Sequence, residues 1–85
     1  MNSSDAQPIK ILIVDDEAGV RELLKDALKL AGFETLAAND GMSALTALRS
    51  YTPDIMIIDI NMPLMDGFEL VERLRKNGNE VPVLM

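Results

Sequence analysis

Ile55-Met56-Ile57-Ile58-Asp59-Ile60-Asn61-Met62-Pro63-Leu64-Met65-Asp66-Gly67 is the stretch whose reading decides the fold. A short apolar run stops on a carboxylate, and a loop containing Pro and Asp-Gly follows. The run Ile9-Lys10-Ile11-Leu12-Ile13-Val14 ends in the same way, on Asp15-Asp16-Glu17. Two short β-rich runs that both stop on carboxylates imply parallel strands whose C-terminal ends lie side by side. In open α/β sheets that edge is where ligands and chemistry sit. Three carboxylates gathered there are costly without a cation, so the pattern points to a Mg²⁺-dependent acidic site.

Between and after these runs the periodicity alternates. Val20, Leu23, Leu24, Ala27, Leu28 and Ala31 recur at helical spacing, with Arg21, Glu22, Lys25 and Lys29 on the other face, and predict a helix from Ala18 to Ala31. Gly32 ends it as a C-terminal cap. Phe33 to Ala38 is a weaker strand. Asn39-Asp40-Gly41 is turn chemistry, with Asp40 the N-cap of a helix from Met42 to about Ser50 that buries Met42, Leu45 and Leu48. Thr52-Pro53-Asp54 breaks that helix, and Ile55 to Asp59 is the third strand. Asp66-Gly67-Phe68-Glu69 has capping-box spacing and opens a helix carrying Phe68, Leu70, Val71 and Leu74. Asn77-Gly78-Asn79 closes it, and Val81-Pro82-Val83-Leu84-Met85 starts a fourth strand. Strands alternating with helices predict a parallel sheet with helices on both faces. The continuous apolar runs Ile11–Val14 and Ile55–Ile58 predict strands buried on both sides.

Composition narrows the function. The chain has 85 residues, enough for one small domain, and a net charge of −6 that argues against nucleic acid as a direct partner. It has no cysteine and no histidine. Disulfides and thiolate or imidazole metal sites are therefore excluded, and any metal must be oxygen-bound: Mg²⁺, Mn²⁺ or Ca²⁺. Residues 1–8 read as a flexible polar tail rather than a signal peptide, and no apolar stretch approaches a membrane span. A cytoplasmic protein with no membrane partner is the expectation.

Three blocks carry a family resemblance: Ile11-Leu12-Ile13-Val14-Asp15-Asp16-Glu17, then Ala38-Asn39-Asp40-Gly41 before a helix, then Asp59-Ile60-Asn61-Met62-Pro63-Leu64-Met65-Asp66-Gly67. In this order and at these separations the chain resembles the receiver domain of bacterial two-component response regulators, of the flavodoxin-like type, over residues 9–85. The resemblance implies that Asp59 is the phosphoacceptor, a carboxylate nucleophile that becomes an acyl phosphate. It implies that Asp16 binds Mg²⁺ directly, Asp15 largely through water, and Asn61 through its backbone carbonyl. The implied partner is a sensor histidine kinase or phosphotransfer protein, and the implied role is signal transduction rather than enzymatic turnover of an external substrate.

Taken singly, each residue has an ordinary reading. Asp15, Asp16 and Glu17 suit an acidic first helical turn, Asp59 a strand-end cap, and Asp66 a structural cap. Met56, Met62 and Met65 suit packing better than a soft-metal site. An aspartyl phosphatase of the haloacid dehalogenase type would want a second Asp two residues after the nucleophile, where Asn61 stands. Neither G-x-G-x-x-G nor a P-loop follows the first strand.

The chain departs from the family at its C-terminus. A complete receiver continues into a Ser or Thr and a Lys that both contact the phosphoryl group, and into a fifth strand and two more helices; none is assignable here. The chain therefore reads as an incomplete receiver of four strands and three helices, the N-terminal portion of a longer one. Slow phosphorylation and self-association through the fourth strand are expected. The alternative reading is a non-phosphorylated pseudo-receiver that serves as a dimerisation or interaction element.

Overall fold

In the computed structural model, residues 7–85 are described. The expected tail, residues 1–8, lies largely outside them; residues 7 and 8 are exposed and without regular structure. The order is β1 (Lys10–Val14), α1 (Ala18–Leu30), β2 (Glu34–Ala38), α2 (Gly41–Ala47), β3 (Ile55–Ile58), α3 (Gly67–Lys76) and β4 (Val83–Leu84). All strand pairs are parallel, and the sheet order is β2-β1-β3-β4. This is the first part of the flavodoxin-like order, in which the ligand crevice opens where the order reverses, between β1 and β3. The register pairs Val14 with Ala38 on one side and with Ile58 on the other. Asp15 and Asp59 therefore leave the sheet at the same height.

The two faces are unequally covered. Leu12, Val14, Met56 and Ile58 share one buried cluster with Ala44 of α2 and with Leu70 and Leu74 of α3. The opposite face is covered by α1, which has no buried residue of its own. Leu24 and Leu28 are half-buried there, whereas Val20, Leu23, Ala27 and Ala31 of the expected apolar stripe are exposed. The stripe is real, but α1 packs over β1 and β2 and no second helix lies beside it among the described residues. The expectation of strands buried on both sides holds for β1, where Ile11 to Val14 are all buried. It fails for β3: Met56 and Ile58 are buried, while Ile55 and Ile57 on the α1 side are only half-buried.

The helix ends follow local chemistry. After α1, Gly32 has φ 96°, and Phe33 N–H donates to the Leu28 carbonyl while Gly32 N–H donates to that of Lys29. After α3, Gly78 has φ 80°, with the same paired bonds from Asn79 to Leu74 and from Gly78 to Arg75. Both are left-handed terminations that satisfy the last carbonyls, and glycine adopts them without a Cβ penalty.

The starts of α2 and α3 are copies of one local device. Asp40 accepts from Ser43 N–H at 2.7 Å, and Asp66 accepts from Glu69 N–H at 2.8 Å. In each, a buried glycine follows the cap, then an exposed large apolar residue, and four positions past the cap a fully buried one. Met42 is 60% exposed where burial was expected, and Phe68 is 61% exposed. The reason is the helical wheel. Gly41 and Ala44 share a face, as do Gly67 and Leu70, and the residue after each glycine points about 100° away from it. The reciprocal half of a capping box is absent at α3, because the Glu69 carboxylate pairs with Arg73 at 3.1 Å.

Candidate functional site

The acidic edge is built from backbone bonds outward. Asp15 N–H donates to the Ala38 carbonyl at 3.2 Å, and Asp59 N–H to the Val14 carbonyl at 2.9 Å. These bonds extend the two ladders by one residue past the strands and hold both aspartates at the sheet's C-terminal edge. Asp15 Oδ1 accepts from Glu17 N–H at 2.9 Å, which turns the chain toward α1, and Asp15 as a whole is 9% exposed. Asp59 Oδ1 accepts from Asn61 N–H at 3.2 Å. Asp16 is exposed. Asp15, Asp16 and Asp59 each offer a carboxylate oxygen, and these atoms lie within 4.8 Å of one another. The structure thus brings together the three carboxylates that the sequence singled out, and ties Asn61 to Asp59 by its main-chain N–H.

No protein cation balances them among the described residues. Arg21 approaches, but its Nη1 donates to the Asp15 carbonyl at 2.8 Å rather than to a carboxylate. The ion pair of the described region, Arg73–Glu69, sits on the exposed side of α3. Like charges at this spacing repel by about 1 to 4 kcal/mol per pair, depending on how far water screens them. An all-oxygen donor set that is shallow and partly exposed fits Mg²⁺, which keeps several waters and takes one or two carboxylates. Asp16 and Asp15 are the side chains that would hold it, beside Asp59.

The loop after Asp59 is firmly anchored. Met62 and Met65 are 7% and 5% exposed, and Gly67 N–H donates to the Ile60 carbonyl at 2.9 Å. Between the methionines, Leu64 has φ 69° and is fully exposed, and Met65 N–H closes a three-residue turn on the Pro63 carbonyl at 2.7 Å. A bond of that reach around a positive φ is a γ-turn of the strained hand. A left-handed leucine costs about 1–2 kcal/mol, and burying a methionine side chain returns about 1.5–3 kcal/mol. The burial of Met65 is therefore large enough to hold the turn.

Two glycines make room for this loop. A Cβ on Gly67 would stand 2.7 Å from the Asp59 carbonyl oxygen, and one on Gly41 would stand 2.6 Å from Met65 Sδ. The sequence marked both as turn and cap residues, and their role as space for the loop was missed because glycine carries no apolar signal. The available cue was the repeated order Asp-Gly-x-x-apolar at Asp40 and Asp66.

Two groups, Asp40 and Tyr51, have displaced titration. The Ser43 N–H holds the Asp40 carboxyl below its ordinary value. Burial, aided by the negative charge of Glu34, pushes the Tyr51 phenol up.

Comparison with known proteins agrees with the fold. The family model of the response regulator receiver domain matches residues 11–85. Response regulator MprA of Mycobacterium sp. (strain KMS) is 38% identical over 78 residues, covering 92% of this chain and 34% of the relative. The probable transcriptional regulatory protein TcrX of Mycobacterium tuberculosis is 36% identical over 85 residues, 36% of its length. The chain thus spans about a third of these relatives. Among solved structures, chemotaxis protein CheY4 of Vibrio cholerae superposes with a TM-score of 0.88 at 37% identity, over 93% of this chain and 68% of that one. Response regulator protein TrrA of Thermotoga maritima, in complex with Mg(2+)-BeF, gives 0.82 at 39% identity, over 88% of this chain and 65% of that one.

Proposed function

The chain belongs to the family of response regulator receiver domains, and we propose that it takes a phosphoryl group from a histidine kinase or phosphotransfer protein onto Asp59, in a Mg²⁺-dependent reaction. The observation that carries this reading is the convergence of Asp15, Asp16 and Asp59 oxygens within 4.8 Å at the β1/β3 crevice. Asp59 Oδ1 is engaged by Asn61 N–H, which leaves Oδ2 free as the nucleophile. Oδ2 attacks phosphorus; the O–P bond forms as the P–N bond of a phosphohistidine breaks. The imidazole leaves with that bond's electron pair and takes a proton from water. When bound, Mg²⁺ neutralises the charge that the phosphoryl oxygens add to an already acidic edge. Asp16, Asp15 and the Asn61 carbonyl are the groups assigned to hold it.

This chain has no histidine, so a phosphohistidine donor lies outside these 85 residues. Its role is to carry the modification rather than to turn over a substrate. Among the described residues no helix is long and apolar enough to cross a membrane. A cytoplasmic location suits the proposed partner.

The test is intact mass after incubation with Mg²⁺ and phosphoramidate. One phosphoryl adduct on the native chain, and none on Asp59→Asn, is the expected result. An adduct that persists in Asp59→Asn overturns the assignment. A chain that binds Mg²⁺ yet takes no adduct supports the second reading, an interaction element. That reading is favoured by Leu84 of β4, which is 57% exposed on the side where β4 has no strand partner among the described residues.

A further inference from the structure

We propose that Gly41, the first residue of α2, is a positioning residue for the acidic site, acting through Met65. The inference rests on the reading of Asp15, Asp16, Asp59 and the Asn61 carbonyl as a Mg²⁺ site, and adds to it a residue far from that site in the chain.

Gly41 is not needed for its backbone freedom. Its φ lies outside the left-handed region, unlike those of Gly32 and Gly78. What it supplies is space. A Cβ there would meet Met65 Sδ at 2.6 Å and Met65 Cβ and Cγ at 3.2 Å. The first of these is closer than real Cβ atoms come to anything, so the bare backbone of α2 is the floor on which the Met65 side chain lies. Met65 in turn closes the turn at Leu64, where φ is 69°. Met62 and the Gly67 N–H to Ile60 carbonyl bond anchor the other side of the segment. Asn61 sits between these anchors, with its N–H on Asp59 Oδ1. If Met65 leaves its seat, the turn relaxes and the segment that presents the Asn61 carbonyl loses one of its anchors. Protein interiors resist such changes because they are packed to crystal density. Groups that orient a metal's ligands typically matter about tenfold or more to its affinity.

The experiment is a calorimetric titration with magnesium chloride on the native chain, Gly41→Ala, Met65→Ala, Gly41→Ala/Met65→Ala and Asp16→Ala, with amide hydrogen exchange of residues 61–66 on metal-free samples. Gly41→Ala is expected to weaken Mg²⁺ about tenfold and to speed exchange in the loop. Met65→Ala, which introduces no clash, is expected to weaken it as well. The double variant, in which the new methyl group partly fills the vacated seat, should bind more tightly than Gly41→Ala alone. That rescue is what a purely structural role of Gly41 does not produce. If both Gly41→Ala and Met65→Ala bind Mg²⁺ like the native chain while Asp16→Ala does not, the seat is overturned and the metal site stands. If Asp16→Ala also binds normally, the metal assignment fails, and unchanged exchange at 61–66 in Gly41→Ala then overturns the seat independently. Should Gly41→Ala not fold, unweakened binding by Met65→Ala overturns it.

Discussion

The Asp59 N–H donates to the Val14 carbonyl at 2.9 Å, one step past the last ladder pair of β1 and β3. Because this bond is main-chain, it sets the place of residue 59 beside Asp15 whatever side chain stands there. The carboxylates are thus held together by the sheet, against their own repulsion. Asp16→Ala removes the exposed member of the trio and leaves this bond intact. Without metal it should raise stability by up to about 1 kcal/mol, the well-screened value for such a pair. In Mg²⁺ the order should reverse, because the native chain alone gains from the ligand. Paired thermal melts with and without Mg²⁺ read both effects, and a metal-independent difference would count against the site.

Leu64 offers a stability gain. Its φ of 69° and full exposure mean that the side chain packs on nothing while the backbone is strained. Leu64→Gly should stabilise the chain by about 1 kcal/mol, or roughly 5 °C in melting temperature for a domain of this size. A lower melting temperature would show that the leucine has a contact that the static geometry lacks.

The Asp40 cap makes part of the stability pH-dependent. Its carboxyl is held below the ordinary 3.8 by the Ser43 N–H. The unfolded chain therefore binds this proton at a higher pH than the folded one does. The cap's contribution is fully present above the unfolded value, and is lost as pH falls through the lowered folded value. Urea melts of native chain and Asp40→Asn between pH 6 and pH 2 should converge at the acid end, since an amide caps without titrating. Parallel curves throughout would remove Asp40 from the acid response.

Among the described residues, Leu84 lies on the unpaired side of β4, and with Ile9, Ile55 and Ile57 it borders a part of the α1 face that no helix covers. Flat apolar edges recruit other chains, and charge on the edge blocks them. The native chain is expected to self-associate in light scattering, and Leu84→Lys to shift it toward monomer. A monomeric native chain at high concentration would dispose of this role.

Much of this was legible in the sequence, for physical reasons that differ by element. Asp15 and Asp59 could be placed together because both end β-branched runs, and parallel strands align their carboxyl ends. Asp40 and Asp66 could be read as caps because capping is local chemistry. The burial of Met42 was misjudged because its helix turns a glycine and an alanine toward the core, and periodicity counts only large apolar residues. The half-exposed Ile55 and Ile57 could not be foreseen either. Their run is as apolar as that of β1, and only the tertiary arrangement says that α1 covers one and not the other. The γ-turn at Leu64 left no trace, since leucine is a residue that such turns disfavour.

β1 is made before β2 and β3, yet it lies between them in the sheet. A ribosome therefore releases Asp15 and Asp16 well before Asp59. At about 5–20 residues per second, the pair spends seconds on a nascent chain that has nothing to complete it. The acidic edge comes into being only when β3 emerges and docks along the vacant flank of β1. A truncated translation product that stops short of that strand would keep its first helix and two of its carboxylates, and would lack the third, Asp59.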